Sequence, residues 1–345
     1  MTKACVLHAP TDLRIEDVEL PPLGPTAVAI RIAAGGICGS DLHYYQHGGF
    51  GTVRIRQPMI LGHEVAGLVT AVGTDVTRIS PGDRVAVNPN QPCGKCRYCL
   101  AGRANLCLDV QFYGSAMRFP HVQGAFRQEL IADEVQCFLV PPGTDLTEAA
   151  FAEPLGVTLH AVTRATSVAG RRVAVVGCGP IGALAITAAR RFGAREIVAV
   201  DVATAPLRAA LAVGADRAIN SAESPDDIAA YQADKGYFDV LLECSGNDRA
   251  LRSGLDLVHP GGTIVQLGLG GDITLPMNSV VTKELELRGS FRFHEEFGWA
   301  VDFIARRQID VRPLLTEVIP FTDADRAFTL AADRSRAMKV QLSFA

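Results

Sequence analysis

The chain has 345 residues, which is more than one hydrophobic core usually organises, so two domains are expected. Hydrophobic residues make up 48% of the chain and charged residues 20%, a composition that excludes a disordered or fibrous protein. The formal net charge of -4 provides neither the basic field that nucleic acid needs nor a polybasic patch for an anionic membrane. We therefore expect no nucleic acid partner and no membrane partner.

The N-terminal residues predict a cytoplasmic protein, because they lead directly into a strand-like run and contain no apolar signal core. No later stretch reaches the roughly eighteen apolar residues of a membrane-spanning helix. The cysteine count is nine, and four of these lie between positions 93 and 107. An odd count with one dense cluster favours metal binding in a reducing compartment over a disulfide framework.

Residues 1 to about 150 predict mostly β-structure with functional loops. Gly and Pro interrupt this part repeatedly, and short β-branched runs such as residues 28–32 and 66–72 lie between the turn signals.

Within this part, Cys38, His63 and Glu64 form a dispersed set with Glu153, which follows slightly later in the chain. Thiolate, imidazole and carboxylate groups all suit zinc, and a catalytic zinc site uses three protein ligands with one position open. Taken singly, the cysteine also fits a small core residue, the histidine a hydrogen-bonded core or surface residue, and Glu153 a helix cap.

The second set is a single loop with the spacing Cys93-x2-Cys96-x2-Cys99-x7-Cys107. Four thiolates this close together predict a closed tetrahedral zinc site, which orders the loop and takes no part in the reaction. The alternatives are an iron–sulfur cluster, whose usual last spacing differs, and two disulfides, which the reducing compartment disfavours.

From about residue 170 the pattern changes to strands that alternate with helices, which predicts a parallel sheet flanked by helices. The predicted elements are strands at 172–176, 197–200, 238–242, 263–267 and 285–287, with helices at 181–192, 206–213 and 249–257. Beyond about residue 290 the pattern becomes irregular. The simplest architecture is an α/β domain inserted in a β-rich domain, with the C-terminal tail returning to the first domain.

A G-x-G-x-x-G motif follows the first of these strands and opens a helix, which predicts a dinucleotide-binding turn. An acidic residue at the end of the next strand accepts from a ribose 2′-hydroxyl and repels a 2′-phosphate, so NAD is favoured over NADP. Two alternatives remain: the acidic residue only caps a helix, or a nearby arginine allows both cofactors. The predicted cofactor-binding residues are Gly177, Gly179, Pro180, Ile181, Gly182, Asp201 and Arg208.

Together, the Gly62-His63-Glu64 segment with Gly67, the four-cysteine loop and the glycine motif resemble the medium-chain zinc-dependent alcohol and polyol dehydrogenases, in the same order over essentially the whole chain. The resemblance implies a GroES-like β-rich catalytic domain built from residues 1–150 and 291–345. It also implies a Rossmann domain, a doubly wound parallel sheet, of residues 151–290 that binds NAD, with the active site in the cleft between the domains.

The family resemblance also implies roles for the dispersed set. Cys38 and His63 match the ligands of the catalytic zinc. Where liver-type alcohol dehydrogenases have a third cysteine ligand, this sequence has Glu153, as in the polyol and threonine dehydrogenase branch. In that branch Glu64 or Glu153 completes the site, directly or through water, and the sequence leaves the choice open.

The reaction implied is hydride transfer between NAD and a secondary alcohol. Zinc lowers the pKa of the bound hydroxyl, so that its carbon releases hydride to nicotinamide. Ser40 and His43 match the hydroxyl and imidazole of the family's proton relay. The alternative for Ser40 is a turn-forming hydroxyl, and for His43 an exposed helix residue.

Within the branch, four segments most resemble dehydrogenases of sugar acids: residues 36–46, 113–122, 235–240 and 288–293. Tyr44, Glu153 and Arg292 are the candidates for pairing substrate hydroxyls, and Arg292 or Arg118 for gripping a carboxylate by two parallel hydrogen bonds. Neutral polyols such as sorbitol or xylitol are the first alternative substrates, and threonine is the next.

Two rival functions are disfavoured by the residues present. A zinc-free quinone or enone reductase of the same superfamily would lack Cys38, His63 and Glu153, and an NAD-binding protein without turnover would have lost a ligand or relay residue. The family branch implies a homotetramer, or next a dimer, with pairing of the strands near Leu285 as the interface.

Overall fold

The computed structural model describes residues 1–344 and contains twenty strands and eleven α-helices in that range. The strands are β1 (Thr2–Ala9), β2 (Asp12–Val18), β3 (Ala27–Gly36), β4 (Gly49–Phe50), β5 (Val53–Arg54), β6 (Met59–Ile60), β7 (Glu64–Val72), β8 (Arg84–Val87), β9 (Asn90–Gln91), β10 (Gln111–Phe112), β11 (Glu129–Asp133), β12 (Cys137–Leu139), β13 (Arg172–Val176), β14 (Glu196–Asp201), β15 (Arg217–Asn220), β16 (Phe238–Glu243), β17 (Val258–Gln266), β18 (Glu286–Gly289), β19 (Leu315–Pro320) and β20 (Lys339–Ser343). The helices are α1 (Gly39–His47), α2 (Arg97–Leu100), α3 (Leu146–Ala149), α4 (Ala152–Arg164), α5 (Pro180–Arg191), α6 (Thr204–Ala212), α7 (Pro225–Ala229), α8 (Asp248–Leu257), α9 (Met277–Thr282), α10 (Glu296–Ala305) and α11 (Ala324–Ala332).

The first body of the fold is a seven-stranded sheet in the order β12-β8-β7-β3-β20-β19, with β11 also paired to β3. Its central strand β3 alternates as the sequence predicts: Val28, Ile30 and Ile32 are buried in one core, while Arg31 is exposed. Strand β20 pairs antiparallel with the end of β3, so that Gln341 lies opposite Gly36. The C-terminal tail therefore completes the sheet that the N-terminal half begins.

The irregular sequence pattern beyond residue 290 gave no element predictions, and this segment contains α10, β19, α11 and β20. Four of the five residues of β20 are buried, which removes the alternation by which a strand is usually recognised. A strand buried on both faces lacks the alternation of polar and apolar residues. Strand β20 also begins with the charged Lys339, which makes it still harder to predict from the sequence.

The second body is a six-stranded parallel sheet in the order β15-β14-β13-β16-β17-β18. Its strand order reverses between β13 and β16, and ligands bind such doubly wound sheets at the carboxyl ends of the strands beside that point. The glycine motif follows β13, and Asp201 ends β14, so both lie at this edge.

One continuous core joins the two bodies. It includes Ala34, Ala66 and Ala86 from the first sheet, Val173 from the second, and the buried face of α4 between them. Helix α4 packs on α5 of the parallel sheet and on α10 of the C-terminal segment. We propose the domain division given by the sequence, residues 1–150 with 291–345 and residues 151–290, because each sheet is built from within one of these sets.

Candidate active site

The turn between β3 and α1 fixes Cys38 at the start of the helix. The Cys38 amide donates to Oδ2 of Asp41 at 3.0 Å, as in a capping box. The other carboxylate oxygen, Oδ1, accepts from the Gly62 amide at 3.1 Å, and Asp41 is fully buried. Asp41 therefore ties the Cys38 turn to the segment that carries His63 and Glu64. The sequence analysis did not assign this role to Asp41. Its position three residues after the N-cap Cys38, where a capping box has its acidic residue, indicates the role.

Cys38, His63 and Glu64 converge so that one potential ligand atom from each lies within 4.8 Å of the others. His63 is 4% exposed, and its Nδ1 has no hydrogen-bond partner in the part of the chain described; Oδ1 of Asp41 lies 3.8 Å away. A thiol, an imidazole and a carboxylate form a donor set that zinc accepts. The residues present therefore fit a zinc ion.

Glu64 is paired with a lysine from the other end of the chain. Lys339 Nζ lies 2.9 and 2.7 Å from the two Glu64 oxygens and donates to the Ile37 carbonyl at 3.1 Å. Burial alone would lower the pKa of Lys339, but Glu64 and Cys38 together raise it above its ordinary value. A Cβ on Gly36 would lie 2.1 Å from Oε2 of Glu64, so only glycine leaves room for this carboxylate. Sequence reasoning missed Lys339, because nothing local distinguishes it.

Glu153 lies in the first turn of α4 and is also buried, but it does not belong to the group within 4.8 Å. Burial raises the pKa of Glu153; the charge of His63 opposes this, while Glu64 and Cys38 raise it further. Burial and Glu64 likewise raise the pKa of Cys38. These groups therefore share one electrostatic environment.

Arg292 adds a positive charge to this environment. Its backbone φ of 56° is left-handed, an uncommon conformation for a non-glycine residue. The guanidinium carbon lies 4.3 Å from the Phe112 ring centroid, and Nη1 is buried with no partner among the described residues. Burial lowers the pKa of Arg292 to about 10, against the opposing influence of Glu153 and Tyr44.

Phe112 is a second residue that sequence reasoning missed. Its ring centroid lies 5.3 Å from that of His63, so the same ring contacts both the metal-ligand candidate and Arg292. Tyr44 is buried, and its hydroxyl accepts from the Ala116 amide at 3.1 Å. Arg118 is paired with Asp109 on the partly exposed surface of the same loop, so its guanidinium already has a carboxylate partner.

The two relay candidates lie on α1, just after Cys38. Ser40 is a hydrogen-bond partner of the Cys38 side chain. His43 is exposed on the helix, and its ring centroid lies 5.9 Å from that of Phe50. Partial burial, followed by the charges of His47 and Arg334, lowers the pKa of His43.

A cavity of about 1220 Å³ begins at Cys38 and Glu64 and runs along the edge of the parallel sheet. Its lining includes Gly177, Gly179, Pro180, Ile181, Gly182 and Asp201. A Cβ on Gly177 would lie 2.7 Å from Ser245 and one on Gly182 1.9 Å from the Gly177 carbonyl oxygen, whereas nothing lies within 4 Å of one on Gly179. Two of the glycines therefore allow the close packing of the turn, and the third leaves open space beside the N-terminus of α5 for a phosphate group.

Three charged residues near the dinucleotide cavity differ in whether they line it. Asp201 accepts from the Cys178 amide at 2.7 Å and from the Ala203 amide at 2.9 Å, which fixes its carboxylate at the end of β14. Arg208 is exposed on α6 and does not line the cavity, whereas Arg334 lines it from the opposite domain. Arg334 was not among the predicted cofactor contacts, because it lies far along the chain from the glycine motif.

The four-cysteine loop forms a compact sulfur cluster outside this cavity. Cys96 Sγ lies 3.5 Å from Cys99 Sγ and 3.9 Å from Cys107 Sγ, and Cys107 Sγ accepts from the Cys93 amide at 3.2 Å. Zinc–sulfur bonds of about 2.3 Å at tetrahedral angles place sulfurs about 3.8 Å apart, so the cluster fits one zinc ion. None of the nine cysteines, all of which lie within residues 1–344, forms a disulfide.

Comparison with known proteins agrees with this arrangement. Residues 24–142 match the alcohol dehydrogenase GroES-like domain and residues 180–306 the zinc-binding dehydrogenase family. The chain is 41% identical over 344 residues to L-idonate 5-dehydrogenase (NAD(P)(+)) of Escherichia coli (strain K12), covering 99% of each chain. It is 38% identical to sorbitol dehydrogenase of Bacillus subtilis (strain 168), covering 91% of this chain and 89% of that one. The crystal structure of the Escherichia coli L-idonate 5-dehydrogenase matches with a TM-score of 0.94 over 99% of this chain and 98% of that chain.

The chain therefore belongs to the zinc-binding dehydrogenase family with an alcohol dehydrogenase GroES-like domain. It is an enzyme, a medium-chain zinc-dependent dehydrogenase that acts on an alcohol group of a small molecule. The predicted family and fold class are confirmed. Among the helices of residues 1–344, none has the length and apolar character required to span a membrane.

Proposed function

We propose that the protein is an L-idonate 5-dehydrogenase, which interconverts L-idonate and 5-keto-D-gluconate with NAD. The observation that carries the proposal is the half-buried Arg292: its Nη1 is buried with no partner in the described chain, and its guanidinium lies on the same Phe112 ring that contacts His63. A planar guanidinium can donate two parallel charge-assisted hydrogen bonds to a substrate carboxylate. The full-length similarity to an L-idonate 5-dehydrogenase supports the same substrate.

Cys38, His63 and Glu64 would hold the catalytic zinc, because these three residues of the cleft bring ligand atoms within 4.8 Å of one another, whereas Glu153 does not join them. Glu153 would act from further away, through water. Nδ1 of His63 faces Asp41, which leaves Nε2 for the metal and gives Asp41 the orienting role that carboxylates commonly play behind histidine ligands. When bound, zinc supplies Lewis-acid polarisation of the oxygen at the reacting carbon.

The chain's own groups then carry the rest of the reaction. NAD, held at Gly177, Gly179 and Asp201, would supply the hydride acceptor, and the substrate's hydroxyl proton would have to leave the cleft. Ser40, beside the Cys38 side chain, would accept this proton, and His43, exposed on α1, would pass it to water. Tyr44, Glu153 and Arg292 would pair the remaining polar groups of the substrate. Arg118 is a weaker candidate, since Asp109 already pairs with its guanidinium.

We propose NAD as the preferred cofactor, bound by Gly177, Gly179, Pro180, Ile181, Gly182 and Asp201. The support is the fixed carboxylate of Asp201, which would meet the ribose hydroxyls and repel a 2′-phosphate. Arg208 is too far out on α6 to line the cavity, so it contributes little to NADP binding.

Three further parts of the proposal concern the rest of the molecule. Cys93, Cys96, Cys99 and Cys107 would hold a structural zinc, which gives one structural and one catalytic ion per subunit. The enzyme would be a cytoplasmic homotetramer. The edge strand β18, with Leu287 40% exposed, supports pairing between two copies near Leu285, and the disulfide-free cysteines support a reducing compartment.

The second candidate substrate is a neutral polyol such as sorbitol or xylitol, favoured by the 38% identity to a sorbitol dehydrogenase. Initial rates of NADH formation separate the two. Zinc-loaded protein is assayed with L-idonate, D-gluconate, sorbitol, xylitol and L-threonine, and the series is repeated with NADP. We expect the highest kcat/KM for L-idonate with NAD. A higher value for sorbitol or xylitol would retain the mechanism and replace the substrate.

A further inference from the structure

A second cavity lies on the catalytic domain, away from the cleft. It has a volume of about 530 Å³ and opens beside strands β1, β2, β6 and β11. It shares no lining residue with the cofactor cavity. Most of its wall is apolar and includes Val6, Val18, Ile60 and Leu130. A volume of this size is in the range of small-molecule sites.

Arg127 is the one cationic residue in the wall of this outer cavity. The residue is only 7% exposed, and its side-chain Nε donates to the Gly124 carbonyl at 3.0 Å. No carboxylate lies within ion-pair distance of its guanidinium in residues 1–344, and its two Nη groups have no hydrogen-bond partner there. Burial lowers the pKa of Arg127, and the Tyr113 phenol opposes this. Most of the side chain is buried, but its Nη groups are not fully buried and open to the cavity, so water and not a carboxylate solvates this charge.

The neighbouring polar groups define what the arginine can bind. Gln123 uses its Oε1 to accept from the Ile60 amide at 2.8 Å, so its Nε2 remains available as a donor to a ligand. Glu16 lines the cavity but contacts His8, and Glu19 is exposed at the rim. These two carboxylates repel negative charge, so only a single charge in direct contact with the guanidinium is favoured and a second charge on the ligand is opposed. The guanidinium fork, in turn, favours a planar carboxylate.

From these observations we propose that the outer cavity is a binding site for a small organic monocarboxylate with an apolar body. Arg127 would receive the carboxylate through its two Nη groups, Gln123 would add one donor, and the aliphatic wall would cover the hydrocarbon part. Phosphate and dicarboxylates fit less well because of Glu16 and Glu19. The site is independent of the proposed substrate, since Arg292 and the zinc ligands take no part in it.

Isothermal titration of the zinc-loaded, NADH-saturated full-length enzyme with hexanoate tests the proposal. Hexanoate should bind saturably, whereas hexanamide, which has the same shape without the charge, should not. Replacement of Arg127 by Gln should weaken hexanoate binding by roughly tenfold or more, because a charge-assisted pair of hydrogen bonds is lost. Arg31→Gln, an exposed arginine on β3 of the same domain, should leave the affinity unchanged.

Two further variants keep the test decisive. Val18→Trp fills the cavity from its wall and leaves Arg127 in place, so it should abolish binding even if Arg127→Gln fails to fold. Arg292→Ala should bind hexanoate normally. Three results would overturn the proposal: no saturable heat with hexanoate, unchanged affinity in Val18→Trp or in folded Arg127→Gln, or binding that disappears in Arg292→Ala and so belongs to the active site.

Discussion

The ammonium group of Lys339 contacts both carboxylate oxygens of Glu64, at 2.9 and 2.7 Å, and both side chains are almost completely buried. The two residues are 275 positions apart, so the pair joins β20 to the start of β7. Removal of one partner from a buried pair leaves a charge without compensation, which costs several kcal/mol.

Lys339→Met should therefore lower the free energy of unfolding of the zinc-free protein by about 3 kcal/mol. The measurement is the midpoint of denaturant unfolding. The double variant Lys339→Met with Glu64→Gln removes both charges and should recover much of the loss. If the single and double variants are equally destabilised, the pair contributes by packing and not by charge.

Gly36 should be required for catalytic zinc. A Cβ at this position would overlap Oε2 of Glu64 at 2.1 Å, so Gly36→Ala displaces the carboxylate from the ligand group. We expect roughly one zinc ion per subunit in place of two, measured by atomic emission, with loss of activity. Gly39→Ala is the matched control, because nothing lies within 4 Å of a Cβ there. Full zinc content in Gly36→Ala would argue against Glu64 as a ligand.

Arg292 should discriminate between an aldonate and a polyol. Its half-buried guanidinium, with Nη1 unpartnered, can pair with a substrate carboxylate, so Arg292→Ala should reduce kcat/KM for L-idonate by roughly tenfold to a hundredfold, and for sorbitol by much less. Arg118→Ala is the control, because its guanidinium is paired with Asp109. Equal losses on the two substrates in Arg292→Ala would remove its assigned role.

Arg334 should contribute to cofactor affinity. It lines the cofactor cavity from the catalytic domain and has no ion-pair partner in the part of the chain described. Arg334→Gln should raise the Kd for NADH by roughly tenfold, measured by fluorescence titration, since a charged contact to the cofactor phosphates is lost. Arg336→Gln, two residues further on and outside the cavity, should bind NADH normally. The same Kd in both variants would contradict the prediction.

Glu296 should stabilise the protein except in acid. Burial would raise the pKa of Glu296, but hydrogen bonds from His160 and the His294 amide lower it to about 2. A carboxyl group with a lowered pKa adds stability above its ordinary pKa of about 4.5 and loses it as the pH falls toward 2. The full contribution is on the order of 3 kcal/mol.

Glu296→Gln should accordingly destabilise the enzyme at pH 7 and flatten the loss of stability below about pH 4.5. Denaturant unfolding at several pH values measures both effects. The control is Asp302→Asn, whose exposed pair with Arg306 should contribute less than about 1 kcal/mol. Parallel pH profiles for wild type and Glu296→Gln would contradict the assigned pKa.

The sequence predicted those parts of the site that rest on short-range patterns. The glycine motif occupies the turn after β13, and the four-cysteine spacing closes into a sulfur cluster, because each lies within one loop whose geometry is set locally. Cys38 and His63 were assigned to the catalytic zinc only through the family resemblance, since 25 positions separate them and each alone also fits an ordinary core residue.

The parts that were missed depend on tertiary contacts. Lys339 and Phe112 look like ordinary residues in their own segments, and their roles arise from Glu64, His63 and Arg292, which the fold brings to them. Arg208 illustrates the opposite case: it lies close to Asp201 in sequence, but it is exposed on α6 and does not line the cavity, so its contact with the cofactor stays a prediction. Residues that are close in sequence were correctly predicted to be close in space only where a single turn or loop connects them.

The position of β20 between β3 and β19 has a consequence for biosynthesis. The end of β3, at Ala34–Gly36, pairs with β7 on one edge and on the other with residues 341–343, which the ribosome makes only after the complete parallel sheet. Domains fold as units during translation, so the dinucleotide-binding half can mature while the sheet beside Cys38 still has an unpaired edge. An unpaired edge is a template for wrong pairing between nascent chains. The order of synthesis therefore exposes the catalytic half to aggregation for longer than the half inserted within it.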